Sequence, residues 1–148
     1  MKVLIIFGVG NSGKTSSIKQ IYNDLMAAGA KEKYFDKDNK KDFLAILEYQ
    51  DKIITINSAG DNDGEVANGL KELEKQLPKE KWDYHICASR TKGGSIKAIQ
   101  KNFLPEERIW FDSFKLENPT DAHYQTQSQR VIDIIDALNC FRQPERIE

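Results

Sequence analysis

The chain is poor in the residues that announce metal, membrane or nucleic-acid work. Of its 148 residues only two are cysteine and two histidine. Cys87 and Cys140 lie far apart and match no metal spacing, and Cys87 falls in an expected core strand, where a thiol acts as a small apolar filler. His85 lies inside a strand pattern and His123 in a polar loop, and neither is paired at ligand spacing. The 22 basic and 23 acidic residues leave a net charge of -1, without the basic excess of a nucleic-acid binder. Most of these charges read as solvated helix faces. The first apolar run, Val3 to Phe7, leads straight into a glycine loop and is too short for a signal peptide or a membrane span. With two thiols and no such segment, the expected compartment is a reducing cytoplasm. No internal repeat or low-complexity segment interrupts the chain, whose length suits one domain, residues 1–148, around one core. The polar tail over 142–148 is expected to fray.

What is present is concentrated in one stretch. Gly8-Val9-Gly10-Asn11-Ser12-Gly13-Lys14-Thr15 fits the phosphate-binding pattern G-x-x-x-x-G-K-[ST] at every fixed position. It follows the apolar run and precedes Ile18, Ile21, Tyr22, Leu25 and Met26, which recur at helical spacing. Each fixed residue has a physical reason. Backbone N–H groups turned inward form a concave anion site, and a helix N-terminus adds partial positive charge. Gly8 and Gly13 allow dihedrals and close approaches that a side chain forbids, and Gly10 adds the same freedom. Asn11, Ser12 and Ser16 complete the lining. Lys14 is expected to reach the β- and γ-phosphates, and Thr15 to offer its hydroxyl to Mg²⁺. A turn that only joined a strand to a helix would not need Lys14 and Thr15 in that order. The expected ligands are therefore ATP or another nucleoside triphosphate, with Mg²⁺.

Strand and helix patterns alternate along the chain, which predicts an α/β domain with a mainly parallel sheet of five strands. The strands are expected at 2–7, 32–35, 53–56, 83–88 and 108–111. Helices are expected over 14–28, 40–48, 66–77 and 96–103, with a last one carrying Val131, Ile134, Ile135 and Leu138. Ligands of open α/β sheets bind beyond the carboxyl ends of the strands. Besides the glycine loop, that rule selects the segments 36–38, 58–61, 89–94 and 112–113.

The second strand ends in Asp36-Lys37-Asp38. With the glycine loop, this Asp-x-Asp resembles the P-loop kinase family, and within it small-metabolite kinases similar to shikimate, gluconate and adenylylsulfate kinase. The resemblance implies a three-layer α/β/α fold with sheet order 2-3-1-4-5. It also implies that Asp36 is the metal-side or base residue and that Asp38 contacts the substrate. An aspartate there can orient a hydroxyl for in-line attack. The same stretch runs into Asn39-Lys40-Lys41-Asp42 and reads equally as a helix cap and solvated surface.

The strand at 53–56 departs from the usual pattern, in which an acid directly follows the apolar run. Here Asn57 and Ser58 follow, and the first carboxylate is Asp61. The resemblance makes Ser58 and Gly60 substrate contacts. Asp61 is a candidate metal or catalytic acid, or a helix cap with Asp63 and Glu65. Arg90 is a candidate to stabilise charge on a transferring phosphoryl group or to hold an acidic substrate, against a solvated surface role. Gly93-Gly94 would let its loop close. Tyr124, with Gln125, Gln127 and Gln129, forms either a base or partner contact or a polar helix start. The expected function is transfer of the γ-phosphate to a small-molecule or nucleotide acceptor. Kinases of this type carry an arginine-bearing lid, whereas here Pro105-Glu106-Glu107 joins helix to strand at once. That favours the alternative, an NTPase switch or binding module acting through a protein partner. Neither nucleic acid nor membrane is an expected partner.

Overall fold

In a computed structural model of the chain, residues 1–8, 13–37, 42–113 and 120–140 are described. The positions Gly10, Asn11, Ser12 and Asp38, and the tail over 142–148, lie outside them. β1 (Lys2–Phe7) is an interior strand, fully apolar at its middle. It leads through the glycine loop to α1 (Lys14–Ala27), then to β2 (Lys31–Lys37), β3 (Phe43–Tyr49) and β4 (Lys52–Asn57). α2 (Asp63–Gln76), β5 (Tyr84–Ser89), α3 (Gly94–Asn102), β6 (Arg108–Asp112) and α4 (Asp121–Cys140) complete the order. α1 stops at Gly29, whose φ of 101° suits glycine alone.

The six strands form one sheet in the order β2-β3-β4-β5-β1-β6. β4, β5, β1 and β6 run parallel, while β3 is antiparallel to both β2 and β4. This overturns the expected five-stranded, mainly parallel P-loop sheet of order 2-3-1-4-5. Two things differ. The segment expected as a helix over 40–48 is the strand β3, and β5 stands between β1 and β4, so the strand expected beside the glycine-loop strand is one place further out.

The physical reason for the first difference is burial on both faces. Phe43, Leu44 and Leu47 share a helical spacing. In the fold, Phe43, Ala45, Leu47 and Tyr49 pack on one side of the sheet and Leu44 and Ile46 on the other. A strand covered on both faces loses the polar–apolar alternation that identifies strands. The chain then reverses through Gln50-Asp51, with φ of 51° and 63°, and Tyr49 pairs with Lys52. This is a two-residue hairpin with both central residues left-handed, the twist that flanking strands favour.

α1 and α4 cover one face of the sheet through Ile18, Ile21, Leu25, Val131, Ile132 and Ile135. α2 and α3 cover the other through Val66, Leu70, Leu73, Ala98 and Ile99. Helices therefore cover both faces of this mixed sheet. α4 is fastened to α1 by Ser128, whose hydroxyl donates to Asp24 at 2.6 Å, and to β3 by the Tyr49 hydroxyl donating to Asp136 at 2.8 Å. Among the described residues no helix is long and apolar enough to cross a membrane.

The α2–α3 side holds a buried polar pair. The His85 Nδ1 lies 2.7 Å from the Thr55 hydroxyl, and the ring is sandwiched between Trp82 and Phe103 at centroid distances of 5.3 and 5.5 Å. Burial, aided by the Lys79 charge, pushes its pKa down to about 3. Burial also raises the Cys87 thiol, in keeping with an inert filler. Because His85 is neutral when folded and titrates near 6.5 when unfolded, the unfolded chain binds the extra proton as pH falls below 6.5. Unfolding free energy is expected to drop by about 2 kcal/mol between pH 7 and pH 5 from this group. Urea unfolding of the wild type and of His85→Leu at the two pH values checks it; a drop that persists in the variant would place its origin elsewhere.

Candidate active site

The sequence places the glycine loop beyond the carboxyl end of β1, with β5 on one flank of the strand and β6 on the other. The Gly8 N–H donates to the Ser89 carbonyl at 3.1 Å, joining the start of the loop to the end of β5. Gly13 has φ of 81°, which a side chain rarely adopts, and directly precedes α1. Lys14 is the first helical residue and is 6% exposed. Its ammonium donates to the Gly8 carbonyl at 3.0 Å, turning the side chain back toward the end of β1. Burial lowers its pKa, the Asp61 charge raises it and the Arg90 charge lowers it. Three residues singled out in sequence, Lys14, Asp61 and Arg90, are therefore electrostatic neighbours. Arg90 and Asp61 also pair directly, Nε to Oδ1 at 3.4 Å, with both side chains about half exposed. Such a pair adds little stability in water and is easily re-formed around another charge.

The loop after β4 is placed by two close approaches. A Cβ on Gly60 would lie 2.1 Å from the Ala88 carbonyl oxygen, so this glycine presses directly on β5 and sets Asp61 beside Arg90. Asn57 holds the position where an acid was sought. Its Oδ1 accepts from the Ala59 N–H at 3.0 Å, and its amide abuts α2, where a Cβ on Gly69 would meet Nδ2 at 2.1 Å. Asn57 shapes the turn and faces α2. Asp61 carries its backbone N–H on the Glu65 carboxylate, while Asn62 caps α2.

The carboxylate that reaches Thr15 comes from a residue the sequence had marked as helix cap and solvated surface. Asp42, just before β3, accepts at Oδ1 from the Thr15 hydroxyl at 3.2 Å and from the Ser58 hydroxyl at 3.1 Å. Ser58 is buried, and its oxygen accepts from the Phe43 N–H at 2.8 Å. The available signal was Asp42 opening a strand that runs antiparallel to β4; it was hidden because that strand read as a helix. Ser58 thus positions Asp42 and is itself shielded from solvent.

Asp36 lies elsewhere. It is exposed on the edge strand β2, where burial of Tyr34, followed by the charges of Asp36 and Glu72, raises the Tyr34 hydroxyl pKa. Tyr34 packs on the α2–α3 side, and side chains two apart on a strand share a face. Asp36 is therefore on the face of the sheet opposite α1. Ser16 is exposed on the first turn of α1. Among the described residues, no three His, Cys, Asp or Glu side chains converge to hold a metal by themselves. A hard cation held by the Thr15 hydroxyl and the Asp42 carboxylate would need further oxygens, as Mg²⁺ commonly takes from a bound phosphate. A groove of about 570 Å³ runs between α2 and α3, lined by Asp63, Lys71, Lys97 and Lys101 among others, on the opposite face of the sheet from α1.

No family model, curated protein or solved structure matches this chain. The reading of the site therefore rests on its own residues.

Gly60→Ala tests the packing that sets Asp61. The added methyl must displace backbone rather than a flexible side chain. The variant is expected to lose about 2 kcal/mol or more of stability, read as a fall in melting temperature of roughly 4–8 °C. A melting curve unchanged from wild type would show that the loop yields freely.

Proposed function

We propose that this chain binds a nucleoside triphosphate, ATP or another, with Mg²⁺ at the glycine loop and transfers the γ-phosphoryl group to a small-molecule or nucleotide acceptor. The observation that carries the reading is a convergence at the N-terminus of α1. A buried lysine, a threonine hydroxyl bonded to a carboxylate, and an arginine–aspartate pair meet behind a sequence that fits the phosphate-loop pattern.

The residues divide the work by charge. Lys14 turns from the Gly8 carbonyl to the β- and γ-phosphates, exchanging a neutral acceptor for charged ones. Thr15 and Asp42 hold Mg²⁺, which when bound neutralises charge on the phosphate oxygens. Arg90 stabilises the charge spread over the equatorial oxygens of the γ-phosphoryl group. The acceptor oxygen forms a bond to the γ-phosphorus, the bond to the β–γ bridging oxygen breaks, and the nucleoside diphosphate leaves. The acceptor proton passes to a carboxylate, for which Asp61 beside Arg90 is the candidate.

A second reading is favoured by two observations. Asp36, the expected metal-side or base residue, is on the far face of the sheet, and a three-residue turn, Pro105–Glu107, joins α3 to β6 without a lid. In that reading water is the acceptor and the output is a protein contact. Product analysis separates the two. With Mg-ATP and a panel of hydroxyl compounds and nucleoside monophosphates, a kinase forms ADP only with its acceptor, and a hydrolase releases phosphate without one.

Lys14→Ala is expected to weaken Mg-ATP binding on the order of 100-fold, measured by titration calorimetry. Retained affinity would end the nucleotide reading. Asp42→Asn keeps both hydroxyl partners but removes the charge, so it is expected to weaken the Mg²⁺ dependence of nucleotide binding and cut turnover at least tenfold. Asp36→Asn is expected to change turnover less than twofold. The reverse ranking would return the metal to Asp36.

A further inference from the structure

The first turn of α4 lands on Gly13, the last glycine of the phosphate-loop pattern. A Cβ placed on Gly13 would lie 2.8 Å from the Tyr124 Cε1 and 3.4 Å from its hydroxyl, so the ring stands against the Gly13 α-carbon. Neighbours one turn along α4 fix it there. Gln127 Nε2 donates to the Asp112 carbonyl at 3.0 Å, and the Ser128 hydroxyl donates to Asp24. Residues three and four apart on a helix share a side, so these two bonds hold Tyr124 against Gly13.

The groups around the loop are sorted by flank. Asp42, Ser58, Asp61 and Arg90 lie on the segments that border β3, β4 and β5. Tyr124 stands against Gly13, one helical turn before Gln127, which bonds Asp112 at the end of β6 on the other flank of β1. A triphosphate is a linear ligand with two unlike ends. If its γ-phosphate lies among Lys14, Arg90 and Asp42, its α-phosphate and nucleoside leave toward the other flank. We propose that Tyr124 is the nucleobase contact of this site: its ring stacks on the base and makes the loop select nucleotides over inorganic polyphosphates. The proposal rests on the nucleotide reading above and adds the specificity-determining side chain to it. An aromatic ring tolerates any base, so the contact selects for a base rather than for one base.

The test compares Mg-ATP with Mg-tripolyphosphate, which carries the phosphates and no base. Affinities are measured by titration calorimetry for wild type, Tyr124→Leu, Tyr124→Phe and Lys14→Ala, with melting curves to confirm folding. Tyr124→Leu is expected to weaken ATP roughly tenfold and leave tripolyphosphate within about twofold, while Tyr124→Phe keeps wild-type affinity for both. Equal losses for both ligands would show that the ring only shapes the loop, and an unchanged ATP affinity would show no contact; either overturns the proposal. If Tyr124→Leu does not fold, the wild type decides, since equal affinity for ATP and tripolyphosphate overturns it. Failure of the nucleotide reading is distinct: wild type then binds neither ligand, or Lys14→Ala binds both unchanged.

Discussion

The two-residue reversal at Gln50-Asp51 determines what stands near the glycine loop. Both residues take left-handed dihedrals, and β3 is thereby forced antiparallel to β4. A strand running against its neighbours presents its amino end where they present their carboxyl ends. Asp42, which opens β3, is brought by this reversal to the end of the sheet where β1 releases the loop and β4 releases Ser58. The Thr15–Asp42–Ser58 cluster follows from the direction of one strand. Had the segment formed the expected helix, Asp42 would have been a capping or surface residue, with no geometric reason to meet Thr15.

The same sheet divides the acidic residues by face. Strand side chains alternate, and helices cover each face separately. Phe35 stacks on Phe43 and tilts against Tyr22 on the α1 side, so its neighbours Tyr34 and Asp36 are turned to the α2 side. Asp36 thus lies near the end of β2, at the right edge of the layer and on the wrong side of it. Asn57 follows similar logic. It ends β4 on the α2 side, where Gly69 leaves room for its amide, and a carboxylate there would face a helix rather than a phosphate. Asp42 and Asp61 reach the loop because neither belongs to a strand: each lies in a connecting segment whose direction is not bound by the pleat.

Much of this was legible in the residues and some was not. α1, α2, α3 and α4 carry a helical period and β1, β5 and β6 are short apolar runs bounded by loop residues; with stops such as Gly29 and Pro78, all fall within a few residues of expectation. The glycine loop is local, so Lys14 and Thr15 were identified with their partners unseen. β3 was not legible because Phe-Leu-Ala-Ile-Leu is apolar at every step, and continuous burial erases the difference between periods of two and of 3.6. Its hairpin turn lacks the Asn-Gly or Asp-Gly that would have announced it. Strand order was hidden for a different reason. The insertion of β5 between β1 and β4 is a choice among crossovers of similar length, and no residue records it. The pairing of Asp61 with Arg90 was readable only as two loops at one end of a sheet; Gly60, pressed on Ala88, turns that proximity into contact.

Charge and shape on the two flanks of β1 set what the proposed site can distinguish. On the β5 side, the Asp61 carboxylate and the Arg90 guanidinium lie close enough to act on the Lys14 charge, and Lys14 itself is buried enough for its pKa to fall. A phosphate oxygen carries charge that the Gly8 carbonyl does not, so it is the stronger acceptor for this ammonium. That term favours any polyphosphate. On the β6 side the loop is bordered by an aromatic ring at the head of a helix that is bonded to both α1 and β6. A ring held by a rigid helix loses little freedom when a second flat group lies on it, whereas a ring on a free loop must first be ordered. Affinity in the proposed site therefore belongs to the charged flank and discrimination to the aromatic one, and the two should separate cleanly on ligands that present only one end.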